Sequence, residues 1–388
     1  MDFLGFSFSV VELVIIGVFI LAFLFQLFFF FRYLNGVLRL RNNIKKDKVL
    51  FQTEQLPVSV IICAKDEADN LRRFLPTVLE QDYPNFEVIV INDGSTDETD
   101  HLLRDMVKEY SNLRITFVPV EANNLSTKKL GLTLGIKAAK HDWLLFTDAD
   151  CVPVSKNWIA SMARNFTPST DFVLGYGSYL YKPNFLNRLI TYDTLFIALQ
   201  YLGMAIARKP YMGVGRNLAY RKEVFFKQNG FASTLHLASG DDDLMVNKAA
   251  TANNTRVEIS PDSITVSEPK TNYKSWFYQK ERHLSVSSFY SDASKFRLSI
   301  EPLSRGLFYL SFILALVFGN LVTILAAIVL FLVRLIIDYA IINGSAKHFG
   351  EKKFILSLPV LDVFLPLVSA YVLTIGKARR RKKSIKWK

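Results

Sequence analysis

Long apolar runs lie at both ends of the chain, and short ones alternate with polar segments between them. Residues 10–31 are apolar except for Glu12, and this run is long enough to span a bilayer. Residues 305–342 are also almost entirely apolar. As one straight helix they would measure about 57 Å, nearly twice the hydrocarbon core of a bilayer. The pattern predicts either one tilted span with an extension or a tight hairpin that turns near Gly319-Asn320.

Basic residues flank these terminal runs and predict their orientation. Residues 32–48 and 377–388 are rich in Lys and Arg, which are enriched on the cytoplasmic side of membrane spans. We therefore expect both clusters in the cytoplasm and Met1 outside. The first run lacks the basic leader and cleavage site of a signal peptide, which predicts an uncleaved anchor. Residues 354–376 are a further candidate span. An even number of crossings must lie between the middle of the chain and the tail, either two spans, which gives three spans in all, or a hairpin with a re-entrant segment.

Four short apolar runs in the middle of the chain predict strands, and helical patterns lie between them. Strands that alternate with helices indicate βαβ units, so we predict an α/β fold with a mostly parallel sheet. In such a sheet, ligands bind beyond the carboxyl ends of the strands. The predicted strands are residues 58–64, 86–91, 113–118 and 143–146, and the predicted helices are about 67–80, 98–110 and 127–140.

Two further segments follow the fourth predicted strand. Residues 172–181 are strand-like and aromatic. Residues 185–209 are apolar and aromatic with few charges, which predicts a helix. This helix either lies at the membrane surface or along an acceptor groove, or it is an ordinary core helix. The pattern favours neither interpretation.

Acidic side chains follow three of the predicted strands. Asp148 and Asp150 come after the fourth strand, Asp66 follows the first, and Asp93 follows the second. Carboxylates are costly to bury without a counter-charge, and their hard oxygen atoms suit Mg²⁺ or Mn²⁺. Such an ion binds few protein carboxylates and fills its other positions with substrate phosphates. We therefore expect a site for a metal ion and a nucleotide, and the alternative is a set of solvated turns.

A second acidic cluster, Asp241-Asp242-Asp243, precedes an apolar helical pattern. These carboxylates are either partners of the helix dipole or include a general base that takes a proton from an acceptor hydroxyl. The sequence leaves both interpretations open. Gly213 and Gly215, upstream of the cluster, allow a ligand to approach the backbone closely, but glycines alone are weak evidence.

Composition narrows the class of protein further. The 388 residues are 50% hydrophobic with a mean hydropathy of +0.20, which is too apolar for an ordinary soluble enzyme of this length. The net charge is +12, but the basic residues cluster beside the apolar runs. This placement favours contact with membrane lipids over binding of nucleic acid. Cys63 and Cys151 have neither metal-finger spacing nor a disulfide framework, which fits a reducing cytosolic compartment.

Six segments between residues 55 and 290 form a set of motifs in a fixed order. They are PVSVIICAKDEADNL at 57–71, FEVIVINDGSTDET at 86–99, FTDAD at 146–150, GVGRNLAYR at 213–221, SGDDDL at 239–244 and QKERH at 279–283. Together they resemble the motifs of membrane-anchored, inverting family-2 glycosyltransferases with a GT-A fold. That resemblance implies a Rossmann-like catalytic domain at 51–300. An anchor with its basic segment would occupy 1–50, and a C-terminal membrane region with a basic tail would occupy 301–388.

The resemblance also implies a role for single residues at the matched positions. Of the metal-binding pair, the second aspartate is the better candidate for direct ligation. By resemblance, the nucleoside contacts Ala64, Asp66, Glu67 and Asp93, and the diphosphate lies near Lys128 or Lys129 and near Gln279 and Arg282. The metal ion would bind to Asp148 and Asp150. The base would be Asp242, and Asp241 stands where the family usually has Glu.

Two positions depart from the family pattern. The last position of the Q-x-x-R-W motif is His283, which weakens the comparison with polymer synthases. The acidic motif is one residue shorter than the family's, so the base remains open between Asp241 and Asp242.

The predicted function is an inverting, metal-dependent transferase. It would move a sugar from a nucleoside diphosphate sugar, by resemblance a UDP-sugar, to a membrane-associated or lipid-linked acceptor at the cytoplasmic face. A single carboxylate base with no opposing nucleophile predicts inversion, by analogy with glycoside hydrolysis. The few spans suit a bacterial inner membrane. The alternatives are a processive polysaccharide synthase, for which about three spans are few, and a non-catalytic nucleotide-sugar-binding scaffold in a membrane complex.

Overall fold

The structure of the chain is a computed structural model. It describes residues 2–3, 6–7, 9–118 and 127–380, with side chains over 9–118 and 127–374. The basic tail from residue 381 onward, which we predict to be cytoplasmic, lies outside the described residues.

Strands in the described residues form one large sheet, a small second sheet and a short N-terminal pair. In chain order they are β1 (Asp2–Phe3), β2 (Phe6–Ser7), β3 (Val58–Ala64), β4 (Phe86–Asn92), β5 (Leu113–Phe117), β6 (Trp143–Asp148), β7 (Cys151–Pro153), β8 (Phe172–Leu174), β9 (Gly177–Tyr179), β10 (Leu218–Arg221), β11 (Thr255–Val257) and β12 (Thr265–Ser267).

Helices connect these strands and make up both terminal regions. In chain order they are α1 (Val10–Phe29), α2 (Gly36–Lys45), α3 (Ala68–Leu79), α4 (Thr99–Glu109), α5 (Thr127–Ala138), α6 (Trp158–Ala163), α7 (Phe185–Ile206), α8 (Lys222–Lys227), α9 (Asp243–Ala249), α10 (Tyr273–Val286), α11 (Asp292–Phe318), α12 (Leu321–His348) and α13 (Leu358–Arg380), with a π-helical turn at Phe30–Leu34 after α1.

The large sheet has the strand order β11-β8-β10-β6-β3-β4-β5, and its central strands are parallel. The prediction of a mostly parallel α/β fold is confirmed, with β10 inserted antiparallel between β6 and β8. Strand β6 continues two residues beyond the predicted end, because Thr147 and Asp148 pair with Ile62 and Cys63 of β3. The backbone ladder therefore carries Asp148 to the carboxyl edge of the sheet.

Apolar residues cover both faces of the sheet. Ile61 of β3 packs in the cluster that contains α5 and α7, whereas Val60 and Ile62 pack in the cluster that contains α3 and α4. The first cluster also contains Phe29 and Phe30 at the inner end of α1. The core of the sheet domain is therefore continuous with the terminal helices.

Helix α7 resolves an open alternative in the sequence. It is apolar and long enough to cross a membrane, yet 78% of its apolar window is buried inside the protein. It packs against α2, α12, α13 and the π-helical turn, so it is an inner helix that joins the sheet domain to the terminal helices. This burial favours the core-helix interpretation over a surface helix.

The C-terminal apolar run is a helical hairpin, and the single tilted helix is wrong. Helix α11 ends at Phe318, and α12 begins at Leu321. The Asn320 side chain caps α12 by accepting from Thr323 N at 3.0 Å. The backbone N–H of Asn320 donates to the Glu12 carboxylate at 2.7 Å, so the hairpin turn lies beside the start of α1.

By length and composition, α1 with α2, α7, α11 and α12 form the four described helices that can cross a membrane. Helix α13 has a shorter apolar stretch, Leu358–Thr374, and packs on α10 and α7. Its Asp362 pairs with Arg305 of α11 at 3.0 Å and with Arg334 of α12 at 2.7 Å. These charges are almost fully buried and compensate one another, as ionisable groups among membrane helices must.

Candidate active site

The acidic pair lies where β6 gives way to β7. Oxygen atoms of Asp148 and Asp150 and the sulfur atom of Cys151 all lie within 4.8 Å of one another. Burial raises the pKa of Asp150, and the neighbouring Asp148 carboxylate raises it further. A divalent cation would relieve this repulsion, and the carboxylate oxygens suit Mg²⁺ or Mn²⁺. The Cys151 thiol lies 2.9 Å from the Ser267 hydroxyl and is the less suitable ligand for either ion.

Lys128, near the start of α5, lies between the two acidic clusters. Its Nζ atom is 3.1 Å from Asp241 Oδ2 and 3.6 Å from Asp148 Oδ1. Burial opposes its positive charge, but the carboxylates of Asp241 and Asp148 outweigh this and raise the pKa of Lys128. The ammonium group is therefore a fixed cation between the metal-binding pair and the candidate base.

Asp148 of the first acidic cluster and Asp241 and Asp242 of the second line one shared pocket. The pocket lies beyond the carboxyl ends of β3 and β6, where ligands bind in sheets of this class. Polar and apolar side chains both line it. Its lining residues are Ile61, Cys63, Lys128, Leu132, Phe146, Thr147, Asp148, Gly215, Leu218, Tyr220, Phe231, Asp241 and Asp242.

The three consecutive aspartates have separate surroundings. Asp242 accepts from the backbone N–H of Gly215 at 2.6 Å and from that of Asp243 at 2.8 Å. Burial and the Asp241 carboxylate raise the pKa of Asp242 to about 6. Asp243 accepts from the Tyr290 hydroxyl at 2.7 Å instead. Asp242 also caps α9, so the helix-dipole interpretation and the pocket interpretation both apply to it.

Lys129 points away from the pocket. Its buried ammonium group donates to the backbone carbonyls of Thr234 at 2.6 Å and Ser239 at 2.8 Å. These bonds hold the loop that leads into the acidic cluster. Of the two lysines predicted near the diphosphate, the pocket contains Lys128.

The predicted nucleoside residues lie at the ends of β3 and β4, to one side of the pocket. Asp66 accepts from Thr96 N at 2.7 Å, and Asp93 accepts from the Thr127 hydroxyl at 2.8 Å. The other Asp93 oxygen is buried and has no partner among the described residues. Burial raises the pKa of Asp93 and of Glu67. An orphaned buried acceptor beside the pocket fits a ligand hydroxyl or amine.

Ala64 completes this group through its backbone alone. Its side chain is buried, and its carbonyl oxygen accepts from Asp93 N at 2.8 Å. Adjacent strands are about 4.8 Å apart, so β4 carries Asp93 roughly 10 Å from the end of β6. That separation suits a nucleoside at one end of the site and a metal-bound diphosphate at the other.

Helix α10 carries the QKERH segment and contacts the end of β9. Gln279 donates to the Tyr179 hydroxyl at 3.2 Å. Lys280 is buried and pairs with both carboxylate oxygens of Asp193 in α7, at 2.7 and 2.8 Å. Lys280 therefore anchors the helix on α7, while Arg282 and His283 lie side by side with nitrogens 3.5 Å apart.

Sequence reasoning missed three residues that shape the site. The Arg216 guanidinium lies 4.3 Å from the Tyr179 ring and donates to Gly177 O at 2.8 Å. Its charge also lowers the pKa of Asp150, against the effects of burial and Asp148. Tyr290 fixes Asp243. Arg216 lies within the GVGRN motif, which could have identified it as a site residue. Nothing in the sequence pattern links Tyr179 or Tyr290 to the site.

A mixed, mostly parallel sheet with an Asp-x-Asp pair at the carboxyl end of a central strand defines a glycosyltransferase domain of the GT-A fold. Residues 59–227 match the family described as Glycosyl transferase family 2. The resemblance and the fold class predicted from the sequence are confirmed.

Known proteins resemble the chain over different lengths. Glycosyltransferase AglE of Haloferax volcanii is 30% identical over 194 residues, 49% of this chain and 60% of AglE. A poly-β-1,6-N-acetyl-D-glucosamine synthase of Staphylococcus epidermidis is 34% identical over 95 residues, 24% of this chain and 22% of the synthase. The chain thus spans less than two thirds of these curated relatives.

A solved structure shares the fold over most of the chain. The mannosyltransferase PcManGT from Pyrobaculum calidifontis, in complex with GDP-Man and Mn²⁺, has a TM-score of 0.59 at 19% sequence identity. The match covers 93% of this chain and 98% of that protein. The shared fold therefore includes both the sheet domain and most of the terminal helices.

Proposed function

We propose that the chain transfers a sugar from a nucleoside diphosphate sugar to a membrane-associated or lipid-linked acceptor, with inversion at the anomeric carbon. One observation carries the proposal. A single pocket contains Asp148 of the metal-binding pair, the Lys128 cation and the candidate bases Asp241 and Asp242. These are the groups that displacement at an anomeric carbon requires.

The reaction needs one bond formed and one broken. The acceptor oxygen bonds to the anomeric carbon, the bond from that carbon to the diphosphate breaks, and the hydroxyl proton goes to a carboxylate. Asp148 and Asp150 would hold a Mg²⁺ or Mn²⁺ ion. When bound, this ion would supply Lewis-acid stabilisation of the leaving diphosphate. Lys128 adds a fixed positive charge from the protein itself, and Arg282 is the second candidate for this role.

Asp242 is the better candidate for the base. Its pKa, raised to about 6 by burial and by Asp241, lies near neutral pH, where a base is most effective. Burial would also raise the pKa of Asp241, but Lys128 holds it below its ordinary value, which makes Asp241 the weaker base. Gly215 N and Asp243 N orient the Asp242 carboxylate and leave each oxygen a further lone pair for the acceptor.

Two sources of evidence, family resemblance and a solved structure with the same fold, bear on the identity of the donor and its metal ion. Family resemblance favours a UDP-sugar, whereas PcManGT, the solved neighbour, was bound to GDP-Man and Mn²⁺. We propose UDP as the nucleotide, and an assay must compare it with GDP. Either nucleotide would place its diphosphate beside both the Asp148–Asp150 pair and Lys128.

The helices support a membrane-bound acceptor. By length and composition, α1 with α2, α11 and α12 can cross a bilayer, and Phe29 and Phe30 at the inner end of α1 belong to the core of the sheet domain. A pocket close to a membrane can take an acceptor that stays in it. We propose that this is the bacterial inner membrane, with the sheet domain in the cytoplasm, on the basis of the basic segment at 32–48.

Nucleotide binding tests the donor site. We would measure binding of UDP and of GDP to the detergent-purified chain, with and without Mn²⁺. The variants are Asp150→Ala and, as a control, Asp105→Ala, whose side chain is 71% exposed. We expect Mn²⁺-dependent binding of UDP that Asp150→Ala loses and Asp105→Ala retains. Absence of Mn²⁺-dependent binding for both nucleotides would contradict the proposal and favour the scaffold alternative.

A processive polysaccharide synthase is the second candidate function. The similarity to poly-β-1,6-N-acetyl-D-glucosamine synthases over 95 residues favours it. The two functions differ in product length. A single added sugar from the purified chain supports the first, and long polymer supports the second.

A further inference from the structure

Two loops below the terminal helices form one exposed apolar and basic surface, which we call the interface patch. One loop joins β9 to α7, and the other joins α12 to α13. Leu356 is the most exposed large apolar side chain among the described residues, at 91%. The patch consists of Leu180, Tyr181, Phe185, Lys352, Lys353, Ile355 and Leu356, all of them exposed.

Specific contacts fix the two loops to each other. Lys352 Nζ lies 3.9 Å from the centre of the Tyr181 ring. Arg188 of α7 donates to the Lys352 carbonyl at 2.9 Å and lies 4.0 Å above the Phe354 ring, which is fully buried. The patch is therefore a defined surface whose apolar side chains have no cover among the described residues.

The position of the patch along α12 gives its depth. The Tyr339 hydroxyl donates to the Ile355 carbonyl, so Ile355 lies level with Tyr339. Tyr339 is 18 residues from the outer start of α12 at Leu321, which is about 27 Å along the helix. The hydrocarbon core of a bilayer is about 30 Å thick. If Leu321 lies at one boundary, Ile355 and Leu356 lie at the other.

The lysines lie farther from the hydrocarbon than the apolar residues. The loop begins at Phe349, whose ring stacks on Tyr176 of the sheet domain at 4.3 Å, and it returns toward the membrane at Ile355. Lys352 and Lys353 therefore lie between the sheet domain and the apolar residues, at the level of lipid headgroups. Lysine flanked by aromatic residues is typical of this level.

We propose that the interface patch binds the membrane surface, with Ile355 and Leu356 inserted and Lys352 and Lys353 on anionic lipid headgroups. Each lysine near such a surface strengthens binding roughly fivefold. Tyr179, the last residue of β9, contacts Gln279, so the chain runs directly from the active site into the patch. The bound patch would fix the height of the catalytic pocket above the bilayer.

The first test measures depth with the full chain in phosphatidylcholine nanodiscs. An environment-sensitive dye is attached to Leu356→Cys and, as a matched control, to Val107→Cys, which is 38% exposed on α4 of the sheet domain. Native chain treated with the dye gives the background from Cys63 and Cys151. Lipids brominated near the headgroup should quench the dye at 356 at least twofold more strongly than the dye at 107. Equal quenching would place the patch in water and overturn the proposal.

The second test measures lipid charge. Nanodiscs contain phosphatidylcholine and phosphatidylglycerol in equal parts, and native mass spectrometry counts the lipids that stay on the released protein. Lys352→Gln with Lys353→Gln should lower the ratio of retained phosphatidylglycerol to phosphatidylcholine several-fold. The control, Lys108→Gln with Lys227→Gln, removes lysines that are 75% and 67% exposed elsewhere and should change nothing.

An unchanged ratio in the patch variant would overturn the proposal. A ratio of retained phosphatidylglycerol to phosphatidylcholine that changes only when polyprenyl phosphate is present would also overturn it, because the patch would then bind an acceptor lipid. The proposal rests on the membrane placement in the proposed function but not on transfer. Quenching at 356 without transferase activity would reject the transferase alone, whereas activity without quenching would reject the patch alone.

Discussion

The ammonium nitrogen of Lys128 lies 3.1 Å from the Asp241 carboxylate. The same nitrogen is 3.6 Å from Asp148, so one buried cation joins the metal-binding pair to the candidate bases. Sequence spacing alone left Lys128 and Lys129 equivalent. Their side chains separate because successive residues on a helix face different directions, and only the first enters the pocket.

Lys128→Met should abolish most turnover. The variant removes a fixed cation beside the leaving diphosphate, and loss of one such electrostatic group typically costs 10²–10³ in kcat. Lys128→Arg should keep part of the activity, because the charge remains. Steady-state kinetics with saturating donor check this, with Lys137→Met at the other end of α5 as the control. A variant with kcat within threefold of the native value would show that Lys128 is no more than a structural counterion.

The rate of transfer should depend on the ionisation of Asp242. Its pKa is about 6, raised by burial and by Asp241, and only the deprotonated form accepts a proton. Activity should therefore fall as the pH drops through about 6, by up to tenfold per unit below it. The pH profile of kcat checks this, and a profile without an acidic limb near 6 would argue against Asp242 as the base.

Asp242→Asn and Asp241→Asn should differ in effect. The first removes the proposed proton acceptor, so transfer should be lost while nucleotide binding stays nearly intact. The second leaves that acceptor and disturbs Lys128, so donor KM should rise and some turnover should remain. Transfer assays and nucleotide titrations on the same preparations separate the two outcomes. Full loss in Asp241→Asn with turnover retained in Asp242→Asn would reverse the assignment.

Breaking the Lys280–Asp193 pair should displace α10. Both side chains are buried, and removal of one partner of such a pair typically costs about 3–5 kcal/mol. Lys280→Met should lower the thermal unfolding temperature and raise the donor KM, because Gln279 and Arg282 lie on the same helix. The charge exchange Lys280→Asp with Asp193→Lys should restore part of both properties. If the single and the exchanged variants lose stability and donor affinity equally, the geometry of the two side chains, and not their opposite charges, positions α10.

Gly203→Ala should destabilise the junction between α7 and the terminal helices. A Cβ atom at this position would overlap the Tyr33 backbone after α1, and a second close contact joins Gly36 to Gly203. Small residues let helices approach this closely. The control is Gly306→Ala in α11, where nothing lies within 4 Å of the added carbon. Thermal unfolding in detergent should show a lower midpoint for the first variant and no loss for the second.

The parallel strands and the Asp148–Asp150 pair could be predicted because they follow local patterns. Continuous apolar runs mark strands that are buried on both faces, and the carboxyl ends of such strands meet at one edge. The hairpin was one of two open alternatives, and Asn320 decided it by capping α12. No local pattern could predict the contacts of Tyr290 with Asp243 or of Tyr179 with Gln279. Those pairs are 47 and 100 residues apart and meet only through the tertiary fold.

Sugar transfer itself is the central claim, and release of nucleoside diphosphate measures it most directly. The full chain in nanodiscs would receive UDP-sugars and GDP-sugars with membrane lipid extract as acceptor, with Mn²⁺ or with a chelator. The account predicts Mn²⁺-dependent release coupled to labelled lipid product in the native chain and in Asp105→Ala, and at least a 100-fold loss in Asp150→Ala. Equal turnover in Asp150→Ala and in the native chain would contradict the account. So would a chain that binds nucleotide in a Mn²⁺-dependent way but shows no turnover with any donor.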